Sequence, residues 1–138
     1  MEALEKVQKR AMKSLPALRH LSYSERLKTC NLPTLHFRRI RGDLIETYKI
    51  LTGKYDVTAV PTLVQTCMYV TRGNDLRLQK TRFRYDIRKY CLTNRVVNIW
   101  NSVPNWVISA NMTNTFKNRL DKFWQKQEII NDFCAQLE

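Results

Sequence analysis

Phe37, Ile40, Leu44, Tyr48 and Leu51 recur at spacings of 3, 4, 4 and 3 residues, a period that a helix turns into one apolar face. Arg38, Arg41 and Lys49 fall towards other sides. Pro33 suits the first turn and Gly53 the stop, so the pattern predicts a helix over about 33–52. A stripe of this length must be covered, which commits the chain to helix packing. Gly42 interrupts the pattern at a cost of about 1 kcal/mol relative to Ala. Close approach of a neighbouring helix or a plain imperfection would each account for it.

Other segments carry the same period. Leu4, Val7, Ala11 and Leu15 mark one face of a first helix ending near Pro16, with Lys6, Lys9, Arg10 and Lys13 on its other faces. Ser22 and Glu25 have capping-box spacing, which predicts a short helix from Tyr23 to about Cys30. Leu92, Val96, Ile99, Trp100 and Val103 give the core side of a helix from about Asp86 to Ser102, stopped by Pro104. Thr113 is placed to cap a last helix over 113–124, whose Phe116, Leu120, Phe123 and Trp124 face inward.

Between these lie less regular stretches. Residues 54–70 read as an internal loop. Leu76 and Leu78 alternate with Arg77 and Gln79, and Phe83, Tyr85 and Ile87 alternate with Arg82, Arg84 and Asp86. Two short strands with a turn or bulge between them would explain both, with the cations outside and the Tyr85 ring in the core. The expected fold is mainly α: one small helical domain over 1–138, with a short β-hairpin or extended insertion around residues 70–86. Its shared core should be Leu44, Tyr48, Trp100, Phe116 and Trp124.

A length of 138 residues suffices for one domain with a core, and 43% hydrophobic residues argue against disorder throughout. No apolar run approaches the roughly 18 residues of a membrane span, and the first fifteen residues lack the apolar centre of a signal peptide. Cys30, Cys67, Cys91 and Cys134 lie far apart, and with His20 and His36 they make no familiar zinc spacing. Reduced thiols, no metal and no cofactor are expected. Two-metal nucleotidyl transfer needs converging carboxylates, and the chain has no Asp-Asp pair. Asp43 and Glu46 read instead as ion-pair partners of Arg39 and Lys49 on a helix surface. Walker and nucleophile-elbow motifs are also missing, so no autonomous catalysis is expected.

The charge is more informative. Arg72, Arg77, Lys80, Arg82, Arg84, Arg88, Lys89 and Arg95 face only Asp75 and Asp86 in the same stretch, and this surplus is half of the formal net charge of +12. Phe83, Tyr85 and Tyr90 are threaded between the cations. Phosphate contacts supply most nucleic-acid affinity and rings offer bases a stacking surface, so the eight cations are the candidate nucleic-acid-binding residues. The bland alternative is a solvated basic face.

The ordered blocks also carry a resemblance. Leu4-Glu5-Lys6-Val7-Gln8-Lys9-Arg10, followed by Leu18-Arg19-His20-Leu21-Ser22-Tyr23-Ser24-Glu25-Arg26-Leu27, resembles the region after the polymerase core in non-LTR retrotransposon reverse transcriptases. Arg41-Gly42-Asp43-Leu44-Ile45-Glu46-Thr47-Tyr48-Lys49-Ile50-Leu51 resembles the next block of that tail. Thr71-Arg72-Gly73, Arg95-Val96-Val97-Asn98-Ile99-Trp100-Asn101-Ser102-Val103-Pro104 and Phe116-Lys117-Asn118-Arg119-Leu120 continue it in order. The likeness runs from Leu4 to Trp124 and is greatest for the Jockey-like group of LINE elements. The chain departs from that pattern at Tyr90-Cys91, where the family often has paired Phe, and at Asn74-Asp75, where it often has His-Ser.

The resemblance implies a truncated C-terminal segment of an RNA-directed DNA polymerase, without its catalytic palm or endonuclease. Such a tail helps to hold RNA template and target DNA. Its implied partners are RNA and DNA phosphate backbones and the polymerase core of the parent protein, with no membrane, in nucleus and cytoplasm. Loss of that core would leave exposed apolar surface around the first helix. A folded remnant of a transposable element without a cellular role, or a basic protein-interaction module, are the alternatives.

Overall fold

Residues 2–65, 76–82, 84, 85, 87, 90–125 and 130 are described in the computed structural model of the chain. They form α1 (Glu2–Lys13), a 3-10 turn (Pro16–Leu18), α2 (Tyr23–Thr29), α3 (Leu35–Leu51), α4 (Leu92–Arg95), α5 (Val97–Ser102), α6 (Asn105–Ile108) and α7 (Thr113–Trp124). The fold is mainly helical, and among the described residues no sheet forms. The chain divides into two compact units, Met1–Arg41 with Lys126–Glu138, and Gly42–Gln125.

Local chemistry sets the helix ends in the first unit. Ser22 N–H donates to Glu25 Oε2 at 2.8 Å while Ser22 Oγ accepts from Glu25 N–H at 3.4 Å, so the expected capping box of α2 is present. Leu32 N–H donates to Leu27 C=O and Asn31 N–H to Lys28 C=O, with Asn31 at φ 51°. That is a Schellman ending with Asn at the left-handed position. Arg26 is buried, and its guanidinium donates to the Leu18 carbonyl at 2.9 Å and the Arg19 carbonyl at 3.2 Å.

Pro33 stands just outside α3, contrary to its expected place in the first turn. Thr34 takes the cap because its hydroxyl accepts from Phe37 N–H at 3.2 Å, a bond that Pro cannot supply. Leu35 N–H donates to both carboxylate oxygens of the buried Glu5 at 3.1 Å. A negative charge there also complements the helix dipole.

In the second unit, α3 stops as the sequence predicts. Gly53 has φ 66°, its N–H donates to Ile50 C=O, and Lys54 N–H donates to Lys49 C=O, a second Schellman ending. The expected core residues Leu44, Tyr48, Trp100, Phe116 and Trp124 are all buried, together with Leu120, Val103 and Val107. Tyr48 stacks on Phe116 with centroids 4.3 Å apart, Trp100 lies 6.1 Å beyond, and the Tyr48 hydroxyl donates to the Ala110 carbonyl. Aromatic pairs of this kind add about 0.5–1.5 kcal/mol beyond the area they bury.

Two helix expectations change here. The helix over 86–102 is not continuous: Cys91 is extended (φ −63°, ψ 150°), α4 begins at Leu92, and the axis bends at Val96 between α4 and α5. Val96 keeps its bonds to Leu92 and Trp100. Val96 and Val97 are both buried, neighbours about 100° apart that together widen the inward side. Thr113 is the first residue of α7, and its cap position is Met112, which has no side chain able to do that work.

Of the expected hairpin or extended insertion, the described residues show an extended piece with one antiparallel bridge, between Gln65 and Leu78. Leu78 is buried, as its alternation requires, but Tyr85 is 70% exposed and Ile87 81% exposed. Alternation defines two faces, and a face is buried only where something packs on it. Phe83 and Asp86 of the same pattern lie outside the described residues, as do 66–70 of the expected loop.

Candidate nucleic-acid interface

The basic stretch is held by its backbone. Asn101, on α5, spans Leu78 like a missing strand: its Oδ1 accepts from Leu78 N–H at 3.0 Å and its Nδ2 donates to Leu78 C=O at 2.9 Å. Trp100 indole N–H donates to the Leu76 carbonyl at 2.7 Å, and Gln79 N–H donates to Val64 C=O at 2.7 Å. The Thr81 hydroxyl lies 3.3 Å from Asn94 Oδ1. With the backbone committed in this way, Arg77, Lys80 and Arg82 project as exposed side chains, and Arg84 is exposed beyond them.

Arg82 overlooks a hollow of about 500 Å³ lined also by Pro61, Thr62, Thr81, Cys91, Thr93 and Asn94. Among the described residues, the lining offers one guanidinium, three hydroxyls and an amide and no carboxylate. Such a set suits an anionic oxygen. The rings nearby face water: Tyr85 is 70% exposed and Tyr90 63% exposed. The expected packing of the Tyr85 ring in the core is therefore corrected, and its face is open for stacking.

Arg95 has a different setting from the other cations. Its Nε and Nη2 donate to the two Asp43 oxygens at 2.8 and 2.7 Å, and its Nη1 donates to the Tyr90 carbonyl at 2.9 Å. The bond to Asp43 holds its pKa above the ordinary arginine value, against the opposing pull of desolvation. With every guanidinium nitrogen engaged, Arg95 fastens Tyr90 to α3. Asp43 thus pairs across the fold with Arg95, while Glu46 pairs with Lys49 at 2.8 Å as its spacing suggests.

No family model, curated protein or solved structure matches the chain.

Of the eight cations, Arg72, Arg88 and Lys89 lie outside the described residues, four are exposed on or beside the pinned stretch, and Arg95 is tied to Asp43. Sequence reasoning missed the hollow's threonines and the bracing by Asn101. Asn101 acts on Leu78, 23 positions away, and the hollow gathers Thr62 and Thr93 from separate segments around Arg82, while single Thr or Asn residues carry no periodic signal. Among the described residues no three His, Cys, Asp or Glu side chains converge as metal ligands would.

Proposed function

We propose that this chain is a nucleic-acid-binding accessory segment, of the kind found behind the polymerase core of non-LTR retrotransposon reverse transcriptases. The carrying observation is a stretch with a pinned backbone, from which Arg77, Lys80 and Arg82 project into solvent, followed along the chain by exposed Arg84 and the exposed rings of Tyr85 and Tyr90. Cations meet the phosphates, the rings receive unstacked bases, and the Arg82 hollow seats one phosphate among hydroxyls. Binding of this kind follows the backbone and depends little on sequence. The polymerase core is the remaining partner that the resemblance brings to this reading.

Filter-binding titrations on single-stranded RNA and DNA over a range of salt test it. Four phosphate contacts give a slope of log K against log salt of about −2.8. Neutralising Arg77, Arg82 and Arg84 together flattens that slope by about 2 while circular dichroism stays unchanged. Tyr85→Ala weakens single-strand binding by about 1–3 kcal/mol if its ring carries a base. A triple variant with the wild-type slope would reduce the cluster to a solvated face.

A further inference from the structure

The first unit holds a second feature, independent of the basic stretch. Leu4 and Val7 share one face of α1 with Ala11 yet are 59% and 65% exposed, and Leu15, two residues past its end, is 49% exposed. Opposite them stand Leu32, Leu35 and the half-buried Cys30, so two apolar walls enclose an open groove of about 530 Å³. Among the described residues, Arg38 is the one cation in its lining and no carboxylate lines it. The sequence of this unit, 1–41 with 126–138, contains eleven Lys or Arg and six Asp or Glu, three of them Glu within 2–41. Two of those glutamates are committed, Glu5 to the start of α3 and Glu25 to Ser22.

We infer that this groove is a docking site for an amphipathic helix of a partner protein, one that carries apolar anchors on one face and carboxylates along its flanks. The 12 residues of α1 extend about 18 Å, room for about three turns of such a helix and for anchors at i, i+3 or i+4, and i+7. Arg38 would pair with a carboxylate at the edge of the anchor row, and Arg10, exposed beyond Val7 on the outer side of α1, would meet a second. Charge favours this occupant. A second copy would bring two chains of formal net charge +12 together, and like charges brought together at an interface oppose association. A bilayer covers a projecting apolar face, whereas here the surface is recessed between two walls.

The probe is a fluorescent synthetic helix of about 15 residues with Leu on one face and Glu on the other, titrated against the full chain by anisotropy. It should bind saturably, while a peptide of the same composition without a continuous Leu face, and one with Lys in place of Glu, should bind far more weakly. Leu4→Ser with Val7→Ser keeps the net charge and alters only exposed side chains; it should weaken the Glu helix by at least about tenfold, the loss that follows from one buried apolar anchor. Arg38→Glu should weaken the same probe without touching the apolar walls. Equal binding of the scrambled peptide, or unchanged affinity in both variants, would overturn the assignment. So would preferential partition of the wild-type chain onto phosphatidylglycerol vesicles that the Ser variant loses, which would give the face to a membrane. A concentration-dependent dimer in sedimentation, abolished by the same variant, would give it to a second copy.

Discussion

A methyl group added at Gly42 would meet nothing within 4 Å, so the glycine in the middle of α3 serves no close approach. Of the two explanations open from sequence, the imperfection is the one the structure favours. Gly42→Ala should therefore stabilise the fold by about 0.5–1 kcal/mol, through helix propensity and a less flexible unfolded chain. Thermal melting followed by circular dichroism should show a rise of about 2–4 °C. Gly53 is the control, because at φ 66° an alanine is strained, and Gly53→Ala should lower the melting temperature instead. Arg95 shows what the sequence hides at this scale. Its partner Asp43 lies 52 positions away, and no local pattern joins them.

The helices whose signals are local are legible in the sequence: the Ser22–Glu25 cap, the stripe of α3 and its stop at Gly53 all depend on neighbours within four or five residues. What the sequence could not say is which apolar face finds a cover. The stripe of α3 reaches buried Leu44 and Tyr48, whereas the equally regular stripe of α1 stays in solvent. The same ambiguity misplaced Tyr85. The extended element at Leu78 owes its place to α5, and Asn101→Ala should release it. Both hydrogen bonds to Leu78 would be lost, leaving a buried residue with an unpaired amide and carbonyl, a cost of about 1–3 kcal/mol. Hydrogen exchange should quicken at the Leu78 amide before it quickens in the helices; uniform acceleration would mean that Asn101 supports the whole unit.

Across the whole molecule, charge sets the limits of stability. Glu25 is held below its ordinary pKa by the Ser22 hydroxyl and backbone, Glu46 by Lys49 and then Tyr55, and Asp56 by Thr58. These groups favour the folded chain above their unfolded values of 4.5, 4.5 and 3.8, and that contribution fades as pH falls through the depressed folded values. Acid also strips the balancing carboxylates from 24 Lys and Arg. At the other limit, burial, followed by Glu5, pushes Tyr23 from 10.0 to about 12, so its contribution is full below 10 and lost as pH rises towards 12. Urea unfolding across pH should show a plateau between these limbs, with added salt restoring part of the acid side, where repulsion dominates. Tyr23→Phe should shrink the alkaline limb; an unchanged limb would assign it to other groups. The Asn101 amide also has a consequence for crowding. An exposed extended segment is ordinarily a template on which other chains add strands. Val64 already accepts from Gln79 on one side of the segment, and Asn101 satisfies Leu78 on the other, so copies of this chain crowded together have no open edge at Leu78 through which to aggregate.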